Sequence, residues 1–143
     1  MKGTLLVKNV KHLVTCDAND RLLDGVDVFI RDGVIEAIGP VEETAEDVID
    51  ASNMVMYPGL INTHHHLYQT FSRNLPQVQN MELFPWLKTL YEIWKHVDED
   101  VVYYSSLTGM GELLKTGCTT CLDHHYVFPK DTGCLLYTSP SPR

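Results

Sequence analysis

Apolar and polar positions exchange places at short intervals through the first third of the chain. LLVKNV, HLVTCD and GVDVFI follow one another closely, and in the last of these Val26, Val28 and Ile30 fall on one side of an extended chain and Asp27, Phe29 and Arg31 on the other. A period of two is that of a half-buried strand. Asp32-Gly33 then separates GVDVFI from VIEAIG, which predicts a tight primed hairpin turn with positive φ at both central residues. Gly39-Pro40 ends the returning strand, and the acidic EETAED leads to VID and NMVMY. The expectation up to Tyr57 is an all-β segment of about five or six short strands, too small to be stable alone.

After Pro58-Gly59 the pattern changes. LIN reads as a short apolar strand running straight into Thr63-His64-His65-His66, and the stretch from Tyr68 to Gln79 has no period and reads as a loop. MELFPWLKTLYEIW reads as helical, interrupted early by Pro85. Asp98 suits an N-cap, with Glu99 and Asp100 in the first turn complementing the helix dipole, and the helix is expected to reach Lys115. Along it Ser105, Thr108, Glu112 and Lys115 form a polar stripe, while Val101, Val102, Leu107, Met110, Leu113 and Leu114 occupy the remainder. Gly117 suits the C′ position. CTTCLDHHYVF is a second β-rich run that finishes in histidines, so strand, helix and strand have a crossover long enough for a parallel pair. Two successive strands ending in polar clusters suggest the opening of a β/α barrel, a fold that keeps its chemistry at the C-terminal ends of its strands.

Composition narrows the classes of function. The chain has 143 residues, a formal net charge of −8, 44% hydrophobic and 21% charged residues, a profile that excludes disorder for most of its length. With no Lys/Arg stripe, nucleic acid is not an expected partner. No apolar run approaches the roughly 18 residues that span a bilayer, and MKGTLLVKNV lacks a signal-peptide pattern, so no membrane partner and a cytoplasmic location are expected. Four cysteines are too few and too unevenly placed for a disulfide scaffold. Cys118-x-x-Cys121 lies in a strand, where its thiols fall on opposite faces, and reads as buried small residues. The last ten residues, CLLYTSPSPR, change character abruptly and match, codon by codon, the translation of a transposon-end sequencing adapter. The expected organisation is therefore a β-sandwich segment over residues 1–57, the first β/α units of a barrel over 58–133, and an adapter-derived tail over 134–143.

Five of the seven histidines sit in two clusters, His64 to His66 and His124 to His125. On a strand His64 and His66 point to one side and His65 to the other, so the outer two can share one ion. Neutral imidazoles suit Zn²⁺ or Fe²⁺, although an H-x-H alone is equally what packed or surface histidines present.

MVMYPGLINTHHHLYQT resembles the metal-binding signature of the amidohydrolase superfamily, in which a strand after Pro-Gly carries H-x-H. With SRNLP, GCTT and DHHYVFP it is similar to the aminohydrolase branch, and within it to 8-oxoguanine deaminase and hydroxyatrazine aminohydrolase-like sequences. The resemblance covers Met1 to about Thr132 and implies a metal-dependent (β/α)8 barrel preceded by a small β-sandwich, here incomplete. It implies His64 and His66 as ligands of Zn²⁺ or Fe²⁺, His65 as the variable middle position, and Gln69 as an amide that hydrogen-bonds the heterocycle, against a solvated loop Gln. Tyr68, Arg73 and Trp86 wall the same pocket or pack in core and loop. One of His124 and His125 should reach the pocket mouth, and His125 is the choice. The family completes the site with two histidines and an aspartate from later strands; Asp123 is not that aspartate.

The activity implied is hydrolytic deamination of an amine-bearing purine, pyrimidine or triazine, water being activated by the ion. The full-length parent would act on a small heterocyclic substrate and pair as a homo-oligomer, while the 143-residue chain itself would lack the general acid and base. Three other readings stay open: a catalytically inert truncated fragment, a small His-rich metal-binding module, and an amidohydrolase that opens a cyclic amide.

Overall fold

The computed structural model describes residues 2–128. The adapter-like tail, 134–143, lies outside the described residues. The chain divides into two compact units, the first Met1–Pro58 and the second beginning at Gly59.

The first unit is one five-stranded sheet. Its strands are β1 (Thr4–Val14), β2 (Leu22–Arg31), β3 (Val34–Gly39), β4 (Asp47–Asp50) and β5 (Val55–Met56). The order is β3-β2-β1-β4, with β5 also on β1. β2 is antiparallel to both β1 and β3, whereas β4 and β5 run parallel to β1. LLVKNV and HLVTCD, which read as separate runs, belong to a single strand. Asn9 joins them at φ 57, where the register with β2 slips between Val7 and Val10. Asn tolerates this left-handed backbone better than a branched residue would, and its N–H is satisfied by Asp27 Oδ1 at 2.8 Å. Asp32 and Gly33 both have positive φ, 50° and 83°, as the primed turn requires. Val7, Val10, Leu13, Val28 and Ala51 form the buried core.

The second unit is mixed α/β. It contains β6 (Leu60–His65), two 3-10 segments (Leu67–Ser72 and Pro76–Val78), α1 (Leu83–Trp94), α2 (Glu99–Lys115) and β7 (Cys118–Asp123). β6 and β7 are adjacent and parallel, with Leu60 opposite Cys118 and His65 opposite Asp123. Both strands thus end at the same edge, which brings the two histidine clusters together.

Three expectations change here. The stretch after Tyr68 is two 3-10 segments rather than plain loop. Pro85 does not interrupt α1, because it falls in the first turn, where its missing N–H would have no helical partner anyway; the first helical bond is Trp86 N–H to Glu82 O at 2.9 Å. In α2 the buried residues are Val102, Ser105, Ser106 and Gly109, spaced i, i+3, i+4, i+7, while Leu107 and Leu114 are 52% and 64% exposed. The inward face is therefore the small one. It lets the Leu67–Ser72 segment lie close: a Cβ on Gly109 would stand 3.0 Å from Leu67 Cδ2 and 3.1 Å from Thr70 Oγ1. The ends of α2 follow local chemistry, with Asp98 Oδ1 accepting from Val101 N–H at 2.8 Å and Gly117 at φ 83°. Tyr68, Val78, Leu90, Trp94, Val97 and Val102 form this unit's core.

Candidate metal centre

At the end of β6 the imidazoles of His64 and His66 converge, their Nε2 atoms 3.1 Å apart. Two ligands on a tetrahedral Zn²⁺ with Zn–N near 2.0–2.1 Å stand about 3.3 Å from each other, so the spacing fits one shared ion. His65 is on the opposite side, facing α2, with its Nδ1 buried and without a partner; a Cβ on Gly109 would be 3.7 Å from its Cε1.

Main-chain groups of β7's end hold the pair. His124 N–H donates to His65 O at 2.7 Å, and His66 Nδ1 lies 2.7 Å from His124 O. A carbonyl only accepts, so Nδ1 carries the proton and Nε2 keeps its lone pair, the tautomer that ligates a metal. The His124 ring stacks on His64, centroids 4.1 Å apart. Charge on His124, then desolvation, then charge on His66 hold His64 below the usual histidine range, which favours the neutral ligand form. The donor set fits a divalent ion at two positions. Among the described residues no three His, Cys, Asp or Glu side chains form a complete ligand group.

The remaining sequence-predicted residues divide. Gln69, Arg73 and Trp86 line one cleft of about 480 Å³ together with Ser72, Val78 and Leu90. Arg73 is engaged there by Glu112 of α2, through two bonds of 2.5 and 2.7 Å. Tyr68 is 0% exposed and edge-on to Trp94, and burial pushes its hydroxyl well above the usual tyrosine range. Gln69 Nε2 donates to the hydroxyls of Tyr68, at 3.1 Å, and Tyr126, at 2.8 Å. The amide oxygen is therefore the end of Gln69 presented to a ligand. Tyr126 links cleft and histidines, its ring 5.3 Å from His66.

His125 is turned away from the His64/His66 pair. Its ring packs edge-on against Tyr68 and Phe128 at 5.0 and 5.1 Å, and its Nε2 is buried without a partner. Of the two, it is the His124 ring that faces the pair. β7 ends at Asp123, so strand alternation does not decide between the residues that follow. His124 acts chiefly through its main chain and Tyr126 through the amide of Gln69, roles that leave no mark on the side-chain pattern. Cys118 and Cys121 are free thiols, and burial raises the second.

Residues 55–134 match the amidohydrolase family. The chain belongs to that family. It is 38% identical, over 93% of its length, to hydroxydechloroatrazine ethylaminohydrolase of Pseudomonas sp. (strain ADP), and covers 30% of that protein. It is 44% identical, over 71% of its length, to 8-oxoguanine deaminase of Pseudomonas aeruginosa, covering 24% of it. Among solved structures it is similar to atrazine chlorohydrolase from Arthrobacter aurescens TC1 complexed with zinc, at 28% identity and TM-score 0.77, over 83% of this chain and 28% of that one. The chain thus spans less than a third of the length of these relatives. No helix among the described residues is long and apolar enough to cross a membrane.

Proposed function

We propose that this chain carries the first-strand metal pair, and part of the substrate cleft, of a zinc-dependent aminohydrolase that removes an amine from a small heterocycle. The observation that carries the proposal is the 3.1 Å approach of His64 and His66 Nε2, with His66 Nδ1 donating to a main-chain carbonyl so that its Nε2 keeps the lone pair that ligates a metal. Membership of a family with deaminase and triazine-hydrolase relatives supports the reaction class. In this reading β1–β5 belong to a small β-sandwich, and β6, α2 and β7 open a (β/α)8 barrel.

Zn²⁺, when bound, supplies the Lewis acidity that brings the pKa of water towards neutrality. The protein's own residues bind and orient. His64 and His66 hold the ion, and Gln69 turns its amide oxygen to an N–H on the substrate edge, because Tyr68 and Tyr126 occupy its amide nitrogen. Trp86 contributes a flat apolar wall, suited to stacking on a purine or triazine ring. Arg73, paired with Glu112, keeps the cleft's shape rather than meeting the substrate. His125, packed on Tyr68, supports that ring from behind.

The 143-residue chain offers two ligands and no paired general acid and base among these groups, so alone it is expected to be inactive. The test extends the reading frame beyond Asp131 from an independent template and assays the zinc-loaded product for ammonia release from 8-oxoguanine, guanine and hydroxytriazines. Release that is lost in His66→Ala supports the proposal. A zinc-loaded, folded product that deaminates none of them, or whose activity survives His66→Ala, refutes it.

A further inference from the structure

We infer that Asp123 is a positioning residue for the His64/His66 pair, acting through the main chain that follows His66. The inference rests on the metal reading above and extends it to a residue that touches neither ion nor substrate.

Asp123 closes β7 directly opposite His65, and its side chain is only 6% exposed. A buried carboxylate is costly unless its oxygens are used. No lysine or arginine pairs with it among the described residues; the one basic group within reach is His125 Nδ1, at 3.8 Å from Oδ2. Its hydrogen bond is instead to Leu67 N–H, at 2.9 Å from Oδ1. That amide opens the Leu67–Ser72 segment, whose N-cap residue, His66, gives no side-chain cap. The first N–H groups of a helical segment need an outside acceptor. Asp123 provides it from the neighbouring strand.

The consequence for the pair is geometric. Three cross-strand bonds converge on residues 65–67: His124 N–H to His65 O, His66 Nδ1–H to His124 O, and Leu67 N–H to Asp123 Oδ1. The third sets the direction in which the chain leaves His66, and so whether the His66 ring can keep its bond to the His124 carbonyl while Nε2 faces His64. Without an acceptor at 123, the buried Leu67 amide must seek another partner, and the turn after His66 moves to find one.

The experiment uses the 143-residue chain labelled with ¹⁵N, as wild type, Asp123→Ala and Asp123→Asn. Asn keeps an acceptor of the same reach and removes the charge. Ring spectra without metal read the His66 tautomer, and a zinc titration followed at the His64 and His66 resonances reads affinity. The expected result is a single Nδ1-protonated His66 in wild type and Asp123→Asn, and mixed tautomers in Asp123→Ala. Zinc affinity in Asp123→Ala should fall by about 10–100-fold, the usual effect of losing a group that orients a ligand. Wild-type tautomer and affinity in Asp123→Ala overturn the inference, as does an Asp123→Asn that loses as much as Ala. Should Asp123→Ala fail to fold, wild type and Asp123→Asn still decide: His66 protonated at Nε2 in wild type, or mixed in Asn, overturns it. If no variant binds zinc yet the tautomers behave as expected, the metal reading fails while the positioning of His66 stands.

Discussion

Gly59 immediately precedes β6 and lies against Thr119 of β7. A Cβ built on it would lie 2.8 Å from the Cβ of Thr119 and closer still to Thr119 Oγ1 and Cγ2. Carbon atoms prefer about 3.5–4.0 Å, so Gly59→Ala forces the strand starts apart by on the order of 1 Å. The adjacent bond from Leu60 N–H to Gly117 O, now 2.9 Å, would stretch out of range. Overpacking of this kind costs about 1–3 kcal/mol, and the reduced freedom of the unfolded chain returns about 0.4–1 kcal/mol. The expected net loss is about 1–2 kcal/mol. Trp86 and Trp94, the two tryptophans of the chain, both lie in the second unit, so urea unfolding followed by their fluorescence reads this unit alone. Thr119→Gly removes every atom in the collision. On its own it costs about 1 kcal/mol of strand propensity. Combined with Gly59→Ala it should recover most of the loss, a coupling of about 1–2 kcal/mol in the double-mutant cycle. A Gly59→Ala variant that melts with wild type, or a double variant that shows no recovery, would refute the reasoning.

Two further outcomes follow from the same unit. Trp94→Phe keeps the buried ring but removes the Nε1–H that donates to Ser72 Oγ at 3.0 Å, and should cost about 1 kcal/mol in the same unfolding assay. The hydrogen bond from Arg73 holds Glu112 below the usual carboxylate range. A carboxylate lowered in the folded state stabilises above its unfolded pKa, about 4.3, and loses that contribution as pH falls through the folded value. Glu112→Gln should therefore be less stable than wild type at pH 7, with the gap closing on acidification; a pH-independent gap would contradict the ion pair.

The parts of the fold written in local chemistry are readable from the residues alone. Asp32-Gly33 must make a primed turn because both need positive φ, and Asp98 and Gly117 bracket α2 because one supplies an acceptor and the other a left-handed backbone. What depends on neighbours is not. The continuity of β1 through Asn9 rests on Asp27 across the sheet, and the inward face of α2 is set by how closely the Leu67–Ser72 segment must lie rather than by which residues are most apolar. At the site, a two-residue period brings His64 and His66 together, since it is a property of one strand. The choice between His124 and His125 and the engagement of Arg73 by Glu112 depend on contacts 39 or more residues apart in sequence, and the burial of Tyr68 on packing against Trp94 of α1 and against His125.

The most direct test of the metal pair is a zinc titration of the chain that follows the ring resonances of all seven histidines at once. His64 and His66 should shift together along one binding curve, weaker than that of a complete four-ligand site, and before the exposed His96 responds. A titration in which His96 or His65 responds first, or in which His64 and His66 move independently, would contradict a shared site.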